Sequence, residues 1–264
     1  MAGKMARIHI PGVGEADIEL DGGTPYSQDS VQKYPLGTLL RLSGRTFAYA
    51  KASGTQNPDV GSHIAAGQQV SFTTIAASAD AGVLTLTLDV AATDGSAGDG
   101  VIAADALVGG YILVFPHSSN TFIRQIVGNT AVASGGGEMT VTLDSPTPAA
   151  VVVDVTHCEC MASPYLNVVS GNYPKAAIVG VPTYPATTGK FFWLQTWGPC
   201  WVSPQAEVGE ADHDLNVVFR HDGSIDEYDY SDTYVTKQQH AGFVLTHAPA
   251  GTQGAPFIML QITP

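Results

Sequence analysis

The sequence predicts an all-β chain, with β-sandwich or β-barrel type domains behind an extended N-terminal arm. Three observations carry this. Several segments alternate apolar and polar residues with a period of two, the pattern of a half-buried strand. Glycine (29) and proline (16) punctuate the chain at the short intervals expected of strands joined by turns. No amphipathic helical period runs for more than three turns.

Residues 1–33 read as the arm, because Gly12, Gly14, Gly22, Gly23 and Pro25 interrupt any period. Such an arm either lies on its own subunit or reaches a neighbour. Order begins near Pro35. Ser43-Gly44 separates two strand-like runs, 38–42 and 46–51, and glycine supplies the positive φ that a tight hairpin needs. In the second run Phe47 and Tyr49 alternate with small residues. Segment 83–90 alternates without a break, placing Leu84, Leu86, Leu88 and Val90 on one face and Thr85, Thr87 and Asp89 on the other. Met139, Val141 and Leu143 repeat the pattern, and 82–89 aligns with 137–144 almost residue for residue. The likeness reads as a duplicated unit or, since the flanks differ, as two good amphipathic strands.

Between these segments lie a turn cluster at 93–100 and strands at 110–115 and 121–127. The apolar run 151–155 predicts a strand buried on both faces. Further strands are expected at 216–220, 242–246 and 257–262. The resulting segmentation is an arm (1–33), a front β domain (34–160) and a back β domain (161–264). The boundary falls within 156–175, and a single domain is the other arrangement.

Composition narrows the function classes. Of the 264 residues 44% are hydrophobic, enough for one large core or two smaller ones, and only 13% are charged, against ~25% in a typical domain. The net charge of −13, from 24 acids and 11 bases, repels nucleic acid and anionic membrane alike. Cys158 and Cys160 are too close in sequence to bridge easily, and Cys200 makes the count odd. Reduced thiols made in a cytoplasm are therefore expected. The N-terminus lacks the apolar run of a signal peptide, and no segment approaches the ~20 apolar residues of a membrane helix.

The motifs offer little chemistry. His157-Cys158-Glu159-Cys160 contains soft metal ligands, but on a strand the two thiols share one face while His157 and Glu159 share the other, and no second cysteine pair completes a zinc site. Glu207, Glu210, Asp212, Asp214, Asp222, Asp226, Glu227, Asp229 and Asp232, with His213 and His221, read as a solvated acidic face; calcium is the other reading, without the alternate-position acids of a calcium loop. Asp94 to Gly100 reads as a turn, an ion-binding loop being the other reading. Gly135-Gly136-Gly137 precedes a strand, so it is no phosphate cradle. No nucleophile elbow occurs, and no residue is assigned a catalytic, cofactor-binding or metal-binding role.

All three tryptophans lie close together, at Trp193, Trp197 and Trp201. Odd positions of a strand share a face, so they either form an aromatic stripe able to stack on sugar rings or are buried in a core or interface. Burial is the favoured reading, because aromatics contribute large buried area and Gly198-Pro199 interrupts the alternation.

Several stretches resemble virion structural proteins of tailed bacteriophages, particularly those of marine hosts. The carrying residues are Leu36-Gly37-Thr38, Gly44 to Ala52, Ala104 to Tyr111, Ile126 to Ala131 and Phe192 to Gly198, with Asp222-Gly223-Ser224 and Gly242 fitting the same layout. The likeness runs from about residue 34 to the C-terminal end. It implies a non-enzymatic head decoration or cement protein that bridges neighbouring major capsid protein subunits, commonly as a homotrimer on the outer capsid surface. It implies no catalytic residues. The alternatives are a head fibre or tail component that binds host surface glycans through the tryptophan segment, and an enzyme such as a polysaccharide hydrolase.

Overall fold

The computed structural model describes residues 5–10, 14–19, 25–65, 67–117, 120–205, 208–209, 215–228, 238–246 and 256–263. Every regular element among them is a strand, so the chain is all-β. It divides into two compact units, one made of Met1–Ala65 with Tyr165–Pro264, the other of Ala66–Pro164. This departs from the linear segmentation into 34–160 and 161–264. The first strands after the arm belong with the C-terminal half, and the middle of the chain is an insertion. The pairing responsible joins residues far apart in sequence, which no local pattern reveals.

In the first unit β1 (Met5–Ile10) and β2 (Gly14–Glu19) form an antiparallel hairpin. β3 (Gln28–Asp29) is a short strand. β4 (Leu39–Leu42) and β5 (Arg45–Lys51) form the expected hairpin, with Leu42 opposite Arg45. Ser43 (φ 52°) and Gly44 (φ 76°) are both left-handed, the two-residue turn whose twist matches that of the flanking strands. β1 also pairs with β4, from Arg7–Arg41 to His9–Leu39. The described part of the arm is therefore not irregular, as the sequence suggested, but strand-forming and laid on its own unit, because pairing with β4 holds β1 in a ladder and Gly14 simply opens β2. Its later residues are fastened there too: the Tyr49 hydroxyl donates to Asp29 Oδ2 at 2.9 Å, Lys33 pairs with Asp29 at 2.6 Å, and Tyr34 packs edge-on against Tyr49. β6 (Ser62–His63) completes the N-terminal part of this unit.

The second unit is a six-stranded antiparallel sheet built from β7 (Gln68–Thr74), β8 (Thr85–Val90), β9 (Tyr111–Phe115), β10 (Phe122–Asn129), β11 (Gly137–Leu143) and β12 (His157–Met161). The order is β7-β12-β9-β10-β11-β8. The sheet curls until its ends meet at a single bridge, Ile75–Leu88, reinforced by Ala76 N donating to Thr87 O at 2.8 Å. Leu86, Leu88 and Val90 of β8 and Met139, Val141 and Leu143 of β11 all enter its core. These two similar segments lie side by side, Met139 opposite Leu88 and Val141 opposite Leu86. Their shared pattern follows from lining one core as neighbours.

The glycine triplet at the start of β11 has a packing role. A Cβ at Gly136 would lie 2.2 Å from Val90 O and 2.8 Å from Ala91 C, whereas at Gly135 nothing lies within 4 Å. Both have positive φ and so share the left-handed penalty of about 1–2 kcal/mol. Gly136→Ala is expected to destabilise this unit by at least about 1 kcal/mol more than Gly135→Ala, because only the former also forces backbone apart. Urea unfolding of the two variants checks this, and equal losses would contradict it.

Segment 151–155 is not the buried strand its apolar run predicts. Only Val151 is buried, through a bridge to Ala79. Val152, Val153 and Val155 are exposed on a turn in which Asp154 is left-handed and Thr156 N returns to Val152 O at 2.9 Å. The Thr156 hydroxyl accepts from Val152 N at 3.0 Å, a local side-chain bond that competes with strand pairing.

The first unit resumes with β13 (Ile178–Pro182), β14 (Phe191–Trp201), β15 (Asn216–Phe219), β16 (Ile225–Glu227), β17 (Gln239–Thr246) and β18 (Phe257–Gln261). Its sheet runs β16-β15-β17-β18-β14-β5-β4-β1-β2, with β13 and β3 also on β14 and β6 on β13. β14 is the hub. Against β5 it sets Trp193 opposite Tyr49, Phe192 opposite Ala50 and Leu194 opposite Ala48. Trp193 and Tyr49 join Ile8, Leu40 and Phe47 in one core, while Phe192, Leu194 and Ala50 join Ala52, Val168 and Val179 in another. The alanines of 45–51 leave room for the large side chains of β14, so 46–50 and 192–196 are buried on both faces.

Candidate functional site

The tryptophan segment does not form a three-membered stripe. Between Gln195 (opposite Phe47) and Trp197 (opposite Thr46) the register with β5 slips by one residue, leaving Thr196 as the bulge. A bulge puts later side chains out of phase with earlier ones. Gln195, itself buried, donates through Nε2 to the carbonyls of Trp197, Gly198 and Pro199 at 3.2, 3.2 and 2.8 Å. Gly198 has φ +97°, and a Cβ there would lie 2.6 Å from Gly44 O. Trp193, 2% exposed, stays in the core with its ring centroid 4.9 Å from that of Tyr49.

Beyond the bulge, Cys200 and Val202 turn inward, and Trp197, Pro199 and Trp201 take the other face. Trp197 lies opposite Gln261, Pro199 opposite Met259 and Trp201 opposite Phe257. The next strand places Phe243 opposite Met259. Phe257 is 39% exposed and Leu245 44%, while Trp197, Trp201 and Met259 are half-buried. The result is an apolar platform across β14, β18 and β17, bordered by the polar contact of His240 with Gln261 at 3.4 Å. Large contiguous apolar patches are uncommon on monomeric proteins, which makes this face a candidate interaction surface.

The second unit has its own aromatic cluster. Phe72 stacks on His157, with centroids 4.5 Å apart and planes 9° apart, and packs against Phe115 at 5.4 Å. His157 and Phe115 are register partners on β12 and β9, and Phe72 on β7 is well exposed.

The sequence motifs resolve as follows. On β12, Cys158 and Cys160 enter the core while His157 and Glu159 face outward, so the four do not converge. Burial pushes the Cys158 and Cys200 thiols up to about 12 and raises Cys160 as well. All three are poor nucleophiles, since the thiolate is the reactive form. Asp94 is buried and accepts from Ser71 N, Ser71 Oγ and Ala91 N at 3.0, 2.6 and 2.8 Å; it staples the turn to β7. Of the acidic 207–232 stretch, Asp222 accepts from Ser224 N and Oγ at 3.0 and 2.6 Å, and Asp226 pairs with Arg220 at 2.6 Å. Glu207, Glu210, Asp212, His213, Asp214, Asp229 and Asp232 lie outside the described residues. No group of three or more metal-ligating side chains converges among the described residues.

One buried titratable group escaped the sequence reading. His63 is fully buried on β6, its ring 5.6 Å from that of Tyr173, and neither ring nitrogen has a partner among the described residues. Burial lowers its pKa, outweighing the Val169 backbone and the Asp222 carboxylate, which both favour the charged form. The folded state therefore binds this proton less readily than the unfolded state. The native advantage is complete above the unfolded value of about 6.5 and is lost as pH falls from there towards the lower folded value. Urea unfolding at several pH values should show the first unit weakening in this window, with a shallower slope in His63→Leu. Identical slopes would contradict it.

No protein-family model, curated protein or solved structure matches the chain.

Proposed function

We propose that this chain is a structural protein of a tailed-bacteriophage virion, decorating the outer capsid surface and bridging neighbouring major capsid protein subunits. The observation that carries the reading is that each unit presents its own apolar outer patch, the Trp197–Phe257 platform on one and the Phe72–Phe115–His157 cluster on the other. A cross-linking protein needs two attachment surfaces. Carried on one chain, each can bind weakly while together they hold firmly. The platform strands bring no Asp or Glu to that face, although the chain as a whole is strongly acidic. Such a patch can be covered by protein without burying an unpaired charge.

The glycan reading that uses all three tryptophans is set aside, because Trp193 is inside the core. The decoration role predicts that the chain co-purifies with filled heads at a fixed copy number, and that heads lacking it rupture at lower temperature. Recovery of the chain with tails only, or its absence from particles, would overturn the assignment.

A further inference from the structure

We propose that the second unit carries a binding site for a neutral oligosaccharide, separate from the Phe72 cluster and independent of the virion assignment. A cavity of about 560 Å³ is lined by Tyr111, Ile123, Arg124, Gln125, Asp144 and Ser145, within the ~300–1,000 Å³ usual for small-ligand sites. Tyr111 and Ile123 are 40% and 57% exposed and add apolar surface to its lining.

The polar side is held in place by the sheet. Tyr111 and Gln125 are register partners on β9 and β10. Asp144, just after β11, is locked to Gln125 in both directions: its N–H donates to Gln125 O at 3.0 Å, and its Oδ1 accepts from Gln125 N at 3.0 Å. The Arg124 guanidinium is fixed by Nε and Nη2 donating to Pro146 O at 3.1 and 2.9 Å and by Nη1 donating to Ile123 O at 2.8 Å. Holding a planar fork this way reduces the ordering cost of a bond to a ligand. Among the described residues no hydrogen bond occupies Asp144 Oδ2, the Gln125 carboxamide, the Ser145 hydroxyl or the Tyr111 hydroxyl.

The ligand class follows from this set. A carboxylate acceptor, a guanidinium donor, an amide and two hydroxyls match adjacent sugar hydroxyls, each of which both donates and accepts. The Tyr111 ring and Ile123 offer surface to the C–H face of a pyranose. One cation and one anion line the cavity, so a neutral ligand leaves the local charge balanced. A polyanion would meet both Asp144 and the strongly negative chain.

The test is calorimetry and saturation-transfer NMR on the full chain with cellotriose, maltotriose, mannotriose and chitotriose in its N-acetylated form. At least one is expected to bind with a Kd of roughly 0.1–10 mM, the weak end of the affinity scale. Tyr111→Ala and Asp144→Ala should each weaken it about tenfold or more, with Val153→Ala, an exposed position of the same unit away from the site, leaving it unchanged. Asp144→Asn, which keeps an acceptor for Gln125 N, separates loss of the charge from loss of the fold and should also weaken binding. No binding by any of the four sugars at about 50 mM, about fivefold above the upper end of that range, would overturn the proposal, as would binding that survives Tyr111→Ala and Asp144→Ala together. Neither outcome bears on where the chain sits in a particle.

Discussion

Replacing Trp193 with alanine is expected to destabilise the first unit by about 3–5 kcal/mol, the range for deleting a buried aromatic. The ring is almost wholly enclosed and touches Tyr49 and Tyr34, with centroids at 4.9 and 5.5 Å. It sits on the strand that joins the N-terminal hairpins to the C-terminal ones, so a cavity there loosens both sides. A loss this large is much of the stability of an ordinary domain. Urea unfolding followed by circular dichroism checks it, and a loss below about 1 kcal/mol would show that the ring is not core. Any ligand-binding defect in this variant would report unfolding rather than a lost contact.

The second large effect concerns assembly rather than folding. Phe243→Asp and Phe257→Asp place carboxylates on the platform at positions already partly in water, so stability should change by only about 0.5–1 kcal/mol. Attachment should suffer far more, since a central interface aromatic commonly contributes about 2 kcal/mol or more and the new charge would be buried unpaired. The copy number of the double variant on purified heads is expected to fall at least about tenfold. Val31→Asp, an equally acidic change at an exposed position of the same unit, should leave it near the wild-type value. Undiminished incorporation of the double variant would remove the platform from the account.

Much of the local fold was legible because it is written in period two. The runs around Leu86, Val141, Ile112 and Ile258 all became strands, and Leu86, Leu88, Val90, Met139, Val141 and Leu143 are buried as expected, whereas Leu84, expected on the same face, lies before β8 and is exposed; Ser43-Gly44 became the expected turn. Cys158 and Cys160 fell on the core side of their strand for the same reason. What failed was non-local or competed with pattern. The pairing of 45–51 with 191–197 spans the inserted unit, so segmentation by composition divided the chain in the wrong place. Segment 151–155 has strand composition, but the Thr156 hydroxyl and the left-handed Asp154 close it into a turn. β1, β2 and β3, within the segment read as an irregular arm, went unmarked, as did β6, β7, β13 and β16: β7 carries polar residues at five of its seven positions, and β13 ends in Pro182.

The candidate surfaces were legible only in part. Proximity of the tryptophans was visible at once, and Gly198-Pro199 warned of an interruption. The bulge at Thr196 that sends Trp193 inward and leaves Trp197 and Trp201 together on the outer face required the register against β5. The cavity beside Tyr111 had no sequence signal, since Tyr111, Arg124 and Asp144 come from β9, β10 and the end of β11, which are far apart in sequence.

The most direct test of the central claim is cryo-electron microscopy of intact particles at a resolution that traces side chains. The account predicts this chain on the exterior of the head, with Trp197, Trp201, Phe243 and Phe257 buried against a neighbouring protein. Density for the chain in the tail, or on the head with that platform facing solvent, would contradict it.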